Sequence, residues 1–376
     1  MKYVNYLVTY LRAILAPLIV GILIGYLMAA VSLIIDGNIR SLFNLTLVFA
    51  PILIFVPLYL QLKYHAISHP AAFIFNERGA SLLKEGRTDE AILRLNRAIE
   101  LNPNIHTYFH NRGLAHFSQA KWDDSLADFN SALQLKPDFF MSYAMRANIH
   151  MIQKQYAAAL QDINIVITRK PSYIYAYALR GIIYQQEGNN AAAIEDYHHC
   201  IASRPDFVEA YVNLGATYSA QGNVDNAIAV YTQAIQVNPH YGLAYNNRAY
   251  ERALAGQFDS ALDDANYAIK LMPDHPNPFG TRATIYYLTE RYPEAINDFQ
   301  KSCRIQPEHH FASVGLVASY HRLGGEVNME EALRLWRSLV ASNPHIKDLP
   351  YLEKKVHIPE QILSEIAIIK AGETTA

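Results

Sequence analysis

The sequence predicts an all-α chain: a two-helix N-terminal transmembrane hairpin, then an α-solenoid of about eight helical hairpins, then a C-terminal capping helix. Three observations predict it. Two long uncharged apolar runs stand near the N-terminus, prolines recur at a fixed interval through the rest of the chain, and a short apolar-periodic segment follows the last of them.

The apolar runs are Ala13–Ile35, 23 residues, and Leu42–Leu62, 21 residues. Each exceeds the roughly 20 residues needed to cross a bilayer core. Only the polar turn 36–41 separates them, so they read as a hairpin, with Pro17, Pro51 and Pro57 tolerated as kinks. A cleaved signal peptide fits less well, because a second span follows at once. Residues 1–12 read as an interfacial N-terminus, with Tyr3, Tyr6 and Tyr10 as an aromatic belt and Lys2 and Arg12 as anchors. Lys2, Arg12 and Lys63 on the outer flanks place both ends in the cytoplasm by the positive-inside rule. This predicts a multi-pass protein of the plasma or inner membrane with its array on the cytoplasmic side. The linker, 63–71, is short enough to hold the array near the bilayer.

From residue 72 to 347 the chain repeats. Prolines stand at 103, 137, 171, 205, 239, 273, 307 and 344, with six intervals of 34 residues and a last one of 37. Twelve residues before each proline stands a small residue, from Ala91 and Ser125 to Ala332. Twenty-four before stands another, as in Gly79, Gly113, Ala147, Gly181 and Gly215. Eight before stands a bulky one, as in Leu95, Phe129, Ile163, Tyr197 and Tyr231. Two helices approach closely only where side chains at the crossing are small, and a large partner fills what remains. Each proline closes one hairpin. Gly86, Gly188, Gly222 and Gly256 fall at the inner turn, where a helix C-terminus needs positive φ.

The period and the small–small–bulky–proline pattern resemble the tetratricopeptide repeat family, and the chain reads as a membrane-anchored member of it. Stretches such as 245–250 and 261–265 carry the resemblance. The eighth unit departs from it, with a three-residue insertion at Gly324-Gly325-Glu326 and Val317 at a small-residue position.

The units also compare with one another. Twenty-five residues before the proline stand Arg112, Arg146, Arg180, Arg248 and Arg282; nine before, in the same units, stand Asp128, Asp162, Asp196, Asp264 and Asp298. In unit five both positions are apolar, Leu214 and Val230, and in unit eight they are Leu316 and Leu335. A half-removed buried pair leaves an unpaired charge, so paired change points to structural Arg–Asp pairs within each hairpin. Unit one carries Arg78 and Arg94 instead, so Arg78 is expected to be exposed or paired elsewhere.

The resemblance implies that the first helix of each unit lines a concave groove. The partner-binding candidates on it are Asn76, His110, Phe117, Met141, Asn148, Tyr175, Gln185, Asn246, Tyr250, Asn277 and Tyr287. A nearly uncharged groove suits a peptide segment with apolar anchors. Family members that hold chaperone C-terminal carboxylates do so with Lys, Asn and Arg. Here neutral residues such as Asn76, Ala80, Met141 and Met145 stand at the matching positions, which disfavours chaperone-tail capture.

Residues 348–376 hold the capping helix and tail, with Ile362, Leu363, Ile366 and Ile369 on one face. A partner-binding helix is the alternative reading. Of the 32 basic and 34 acidic side chains, residues beyond 71 carry 28 and 33, with no basic block, which argues against nucleic acid. Cys200 and Cys303 have no metal-type spacing and fall three repeats apart, so they read as packing residues. Adjacent histidines such as His198-His199 diverge around a helix and chelate poorly. With no phosphate loop, metal motif or cofactor site, the expected function is a membrane-anchored interaction scaffold, with the lipid bilayer and a nearby protein or peptide as partners. A non-cytoplasmic receptor-like subunit of a transport or envelope machine and an enzyme are the competing readings.

Overall fold

The computed structural model describes residues 70–375. They form sixteen helices in eight antiparallel pairs, then a C-terminal segment. The chain divides into two compact units between Pro137 and Asp138.

The first unit holds α1 (Pro70–Lys84) paired with α2 (Thr88–Leu101), and α3 (His106–Ser118) paired with α4 (Trp122–Leu135). Helix α1 begins two residues inside the expected linker, with Pro70 in the first turn, where a missing N–H costs nothing. Leu95 fills the gap over Gly79, and Phe129 that over Gly113. A Cβ at either glycine would come within 2.7 Å of the bulky side chain.

The second unit holds six more pairs: α5 (Phe140–Ile152) with α6 (Tyr156–Arg169), α7 (Ile174–Gln186) with α8 (Asn190–Ser203), and α9 (Val208–Ala220) with α10 (Val224–Val237). Then come α11 (Gly242–Leu254) with α12 (Phe258–Leu271), α13 (Pro276–Leu288) with α14 (Tyr292–Ile305), and α15 (His310–Leu323) with α16 (Glu326–Ser342). The same logic governs the packing: Tyr231 lies 2.5 Å from where a Cβ on Gly215 would stand. Ala159, Ala193, Ala227, Ala261 and Ala295 are fully buried at the small positions of the second helices.

Every inner turn before α16 uses one left-handed residue. Gly86, Gly188, Gly222 and Gly256 have φ of 73–81°, and Ala120, Lys154 and Glu290 occupy the same register at 56–59°. The insertion in the last hairpin places Gly324 and Gly325 both at positive φ.

After a 3₁₀ turn (Pro344–Lys347) and two short helical turns over 349–356, α17 spans Glu360–Thr375. The expected cap is thus a helix, but its seat differs from an end cap. Throughout this unit, the first helix of each pair packs on its own partner and on the second helix of the pair before; α17 packs instead on α15. Ile362, Ile366 and Ile369 are buried there in one cluster with Tyr287, Val314, Val317, Ala318 and Trp336. Burying an isoleucine side chain is worth about 1.5–3 kcal/mol, enough to hold a helix of this length in place.

The expected membrane architecture requires correction. The spans expected at 13–35 and 42–62, and the interfacial segment 1–12, lie outside the described residues. Among those described, no helix is long and apolar enough to cross a membrane. The longest, α16, has 17 residues and is amphipathic, with charged side chains along one side, short of the roughly 20 apolar residues a span needs. Membrane anchoring, a bilayer partner and a multi-pass location therefore have no helix to carry them among the described residues, and the architecture that stands is the helical array.

Candidate functional site

The arginines of the repeat reach across their own hairpins. Arg112 donates from Nη2 to Asp128 Oδ1 at 2.6 Å and from Nε to Oδ2 at 2.9 Å. The equivalent two-bond contacts join Arg146 to Asp162 (2.7 and 2.6 Å), Arg180 to Asp196 (2.9 and 2.8 Å), Arg248 to Asp264 (2.8 and 2.7 Å) and Arg282 to Asp298 (2.6 and 2.9 Å). All five aspartates are buried. In unit five, Leu214 and Val230 are buried in their place. Arg78 is half-exposed and meets Glu85 at 3.4 Å.

The sequence reading missed a second contact of these arginines. Nη1 of Arg112, Arg180 and Arg282 donates to Asn96, Asn164 and Asn266, and that of Arg248 to Thr232. Each acceptor sits on the second helix of the preceding hairpin, seven residues before its proline. One guanidinium therefore ties together both its own pair and the neighbouring one. The recurrence of Asn at that register was the signal available.

On the first-helix face of the first unit, Asn76 is buried and accepts from Asn111 Nδ2 at 2.8 Å. His110 is buried against Phe129, and burial lowers its pKa to about 4. Phe117 stacks edge-on to Trp122 at 5.3 Å. Asn76 and His110 are thus chiefly packing groups.

On the second unit, Met141 and Tyr175 are the most exposed candidates, at 47% and 49%; Asn148 is half-buried. Tyr175 is flanked by a cation the groove reading left out: Arg204 lies over its ring at 5.0 Å and donates to its hydroxyl at 3.2 Å. Four other candidates, Gln185, Asn246, Tyr250 and Asn277, converge on one pocket of about 380 Å³. Asn246 is buried and accepts from Thr281 at 2.9 Å.

One wall of this pocket is the chain's own C-terminal segment, through Val356 and His357. Tyr250 Oη donates to the His357 carbonyl at 2.5 Å, and Tyr287 Oη to the Gln361 carbonyl at 3.5 Å. Burial raises the pKa of both phenols, so both stay protonated donors. Further along, His321 Nδ1 contacts Glu365 Oε1. Tyr250 and Tyr287 are thus already engaged by this chain, and the face open to a partner is narrower than the sequence implied.

Glu251 is the residue in the pocket that the sequence reading passed over. It is buried, and Ser219 Oγ donates to its Oε1 at 2.5 Å. Burial raises its pKa against the lowering effect of that hydrogen bond. At the same register the other units carry Ser81, Ala115, Ile149, Ile183, Thr217, Ile285 and Ser319. A lone acid at an otherwise neutral position was the signal available.

Both cysteines are free. Burial pushes the Cys200 thiol up to about 11, so it is an inert packing group at neutral pH. Among the described residues no cluster of His, Cys, Asp or Glu is arranged to hold a metal ion.

Family models described as tetratricopeptide repeat match residues 110–174, 174–207 and 208–241, and one described as TPR repeat matches 79–120. No curated protein matches the chain significantly. Among solved structures, a tetratricopeptide repeat protein from Parabacteroides merdae shares 20% identity over 66% of this chain and 98% of its own, with a TM-score of 0.56. A chain of the APC/C hetero-tetramer Cut9–Hcn1 shares 17% identity over 78% of this chain and 55% of its own, also at 0.56. At these identities the likeness shows the fold alone. Tetratricopeptide repeats are non-catalytic interaction modules, and the membrane-anchored scaffold expected from the sequence is corrected to an interaction module of this fold, with no membrane-spanning helix among the described residues. Residues 79–241 match tetratricopeptide repeats, and the described chain has the fold of an all-α tetratricopeptide array.

Proposed function

We propose that this array binds a protein partner by taking one of its peptide segments on the first-helix face of α5, α7, α9 and α11. The observation that carries the reading is the C-terminal segment itself. On α11 and α13, tyrosine hydroxyls from this face hold backbone carbonyls of a polypeptide, while isoleucines of the same segment are buried beside them. The face therefore has the donors and apolar ground that main-chain recognition requires. Further along, Met141 and Tyr175 offer exposed apolar anchors, and Asn148 and Gln185 offer side-chain amides beside them. The Cut9–Hcn1 chain, which has this fold, is by its description part of a hetero-tetramer, consistent with an interaction role.

Selection of a random peptide library on the purified chain tests this. Enriched peptides should share apolar anchors and lose at least tenfold in affinity when Met141 and Tyr175 are both changed to Asp. Binding unchanged by that double substitution would overturn the assignment of the face.

A further inference from the structure

We propose that the pocket around Glu251 is a subsite for one organic cation, the ammonium or guanidinium group of a lysine or arginine side chain. The pocket's volume of about 380 Å³ lies at the small end of the range for ligand sites, a fit for a single side chain rather than a folded partner. Among its lining residues is Glu251, only 3% exposed. The residues lining it include Glu251, Tyr231, Tyr250, His309 and His357 as titratable groups, and no lysine or arginine. Burial holds His309 towards its neutral form. The groups that act on the Glu251 carboxyl are its own burial and the Ser219 hydroxyl, with no cation among them.

Elsewhere the array does not leave acids in this condition. Each of the five buried repeat aspartates is matched by an arginine in a two-bond contact. Glu251 alone among the eight equivalent positions is acidic, and it opens on a cavity rather than on a basic side chain. A buried carboxyl without a cation is costly, and at a carboxyl this buried a charge-assisted bond to an entering cation is stronger than in water. The neutral rim fits the stem of such a side chain: Gln185, Asn246 and Asn277 supply amides, and Phe311 an aromatic surface. This deepens the interaction reading, and rests on it where the cation belongs to a bound segment.

The test uses the full chain with ¹³C-labelled glutamate. Agmatine and N-acetyl-lysine methylamide are titrated against the neutral N-acetyl-norleucine methylamide, following the Glu251 carboxyl resonance and its titration midpoint. The two cations should bind at least tenfold more tightly than the neutral probe and should lower the Glu251 midpoint. Glu251→Gln should abolish the difference. Glu251→Ile, the residue that three other units carry, should do the same in a chain that folds. Equal binding of cationic and neutral probes, or discrimination that survives both substitutions, would overturn the subsite.

The selected peptides separate the two readings. If they bind through Met141 and Tyr175 with no need for lysine or arginine and no response to Glu251→Gln, the subsite fails and the interaction face stands. If the small cations bind but no peptide does, the subsite stands as a site for free amines and the interaction face fails.

Discussion

The pair of Arg180 and Asp196 offers a direct test of what the repeat charges do. The next unit already carries the replacement, Leu214 and Val230, both buried. Asp196 has a side chain only 6% exposed and accepts two bonds from a guanidinium that is 22% exposed. Arg180→Leu leaves that carboxylate buried with no counter-ion, which should cost about 3–5 kcal/mol. Asp196→Val leaves the arginine with its bond to Asn164 and a route to water, so about 2–3 kcal/mol is expected. The double substitution recreates the apolar pair and should fall within about 1 kcal/mol of the parent. Urea unfolding of all four proteins, followed by far-UV circular dichroism, gives the cycle, with a coupling of at least about 3 kcal/mol expected. Additive losses, with the double variant as weak as the sum of the singles to within about 0.5 kcal/mol, would refute the pairing argument and return these charges to a solvated or ligand-binding role.

Two further outcomes follow from the described geometry. His110 is buried with its pKa lowered to about 4, below the ordinary 6.5. The unfolded chain therefore takes up its proton first, so the stability this residue contributes is fully present above pH 6.5 and is lost as pH falls towards 4. Urea melts at pH 7 and pH 4 should show an excess loss on the order of 3 kcal/mol that His110→Phe removes; an equal loss in the variant would contradict it. At the inner turns, a Cβ on Gly222 would meet open space but a φ of 73°, so Gly222→Ala should cost about 1 kcal/mol through backbone strain alone. Ala120→Gly, at a φ of 56° in the same register, should gain a few tenths to about 1 kcal/mol, read as shifts in thermal midpoint; a loss on Ala120→Gly would show that the turn is not strained.

Much of the fold was legible because a solenoid writes its contacts at constant separation. Gly79 and Leu95, Gly113 and Phe129, and Arg180 and Asp196 each lie 16 residues apart, and each meets across one hairpin. A contact made at the same offset in unit after unit leaves a column in the sequence, and both its presence and its paired loss at Leu214 and Val230 can be read there. The asparagine acceptors of these arginines also lie at a fixed offset and were readable in principle; they were missed because they link neighbouring hairpins rather than the two helices of one. The candidate groove was less legible. Asn76, His110 and Asn246 stand three residues beyond the register of exposed Met141 and Tyr175, in a column that is buried in unit after unit, from Ala144 to Val314; Tyr287 stands at another register, partly exposed in most units, and is buried because the C-terminal segment packs on it.

The chain's own period determined the hairpins, their register and the inner turns at glycine, and the apolar spacing past the last proline determined the helical character of the C-terminal segment. Tertiary structure alone decided where that last helix lies and what it closes. Tyr250 meets His357 across 107 residues, a contact made once and outside the repeat, so no periodicity announces it. The apolar face of Ile362, Ile366 and Ile369 required burial, but an amphipathic stripe specifies only that it must be covered. Whether it covered the open end of the last pair or lay along the first-helix face of α15 depended on the surface that Val314, Val317, Ala318 and Tyr287 present together, and that surface exists only once the hairpins have stacked. The pocket over Glu251, walled by that same segment, is a consequence of the same choice.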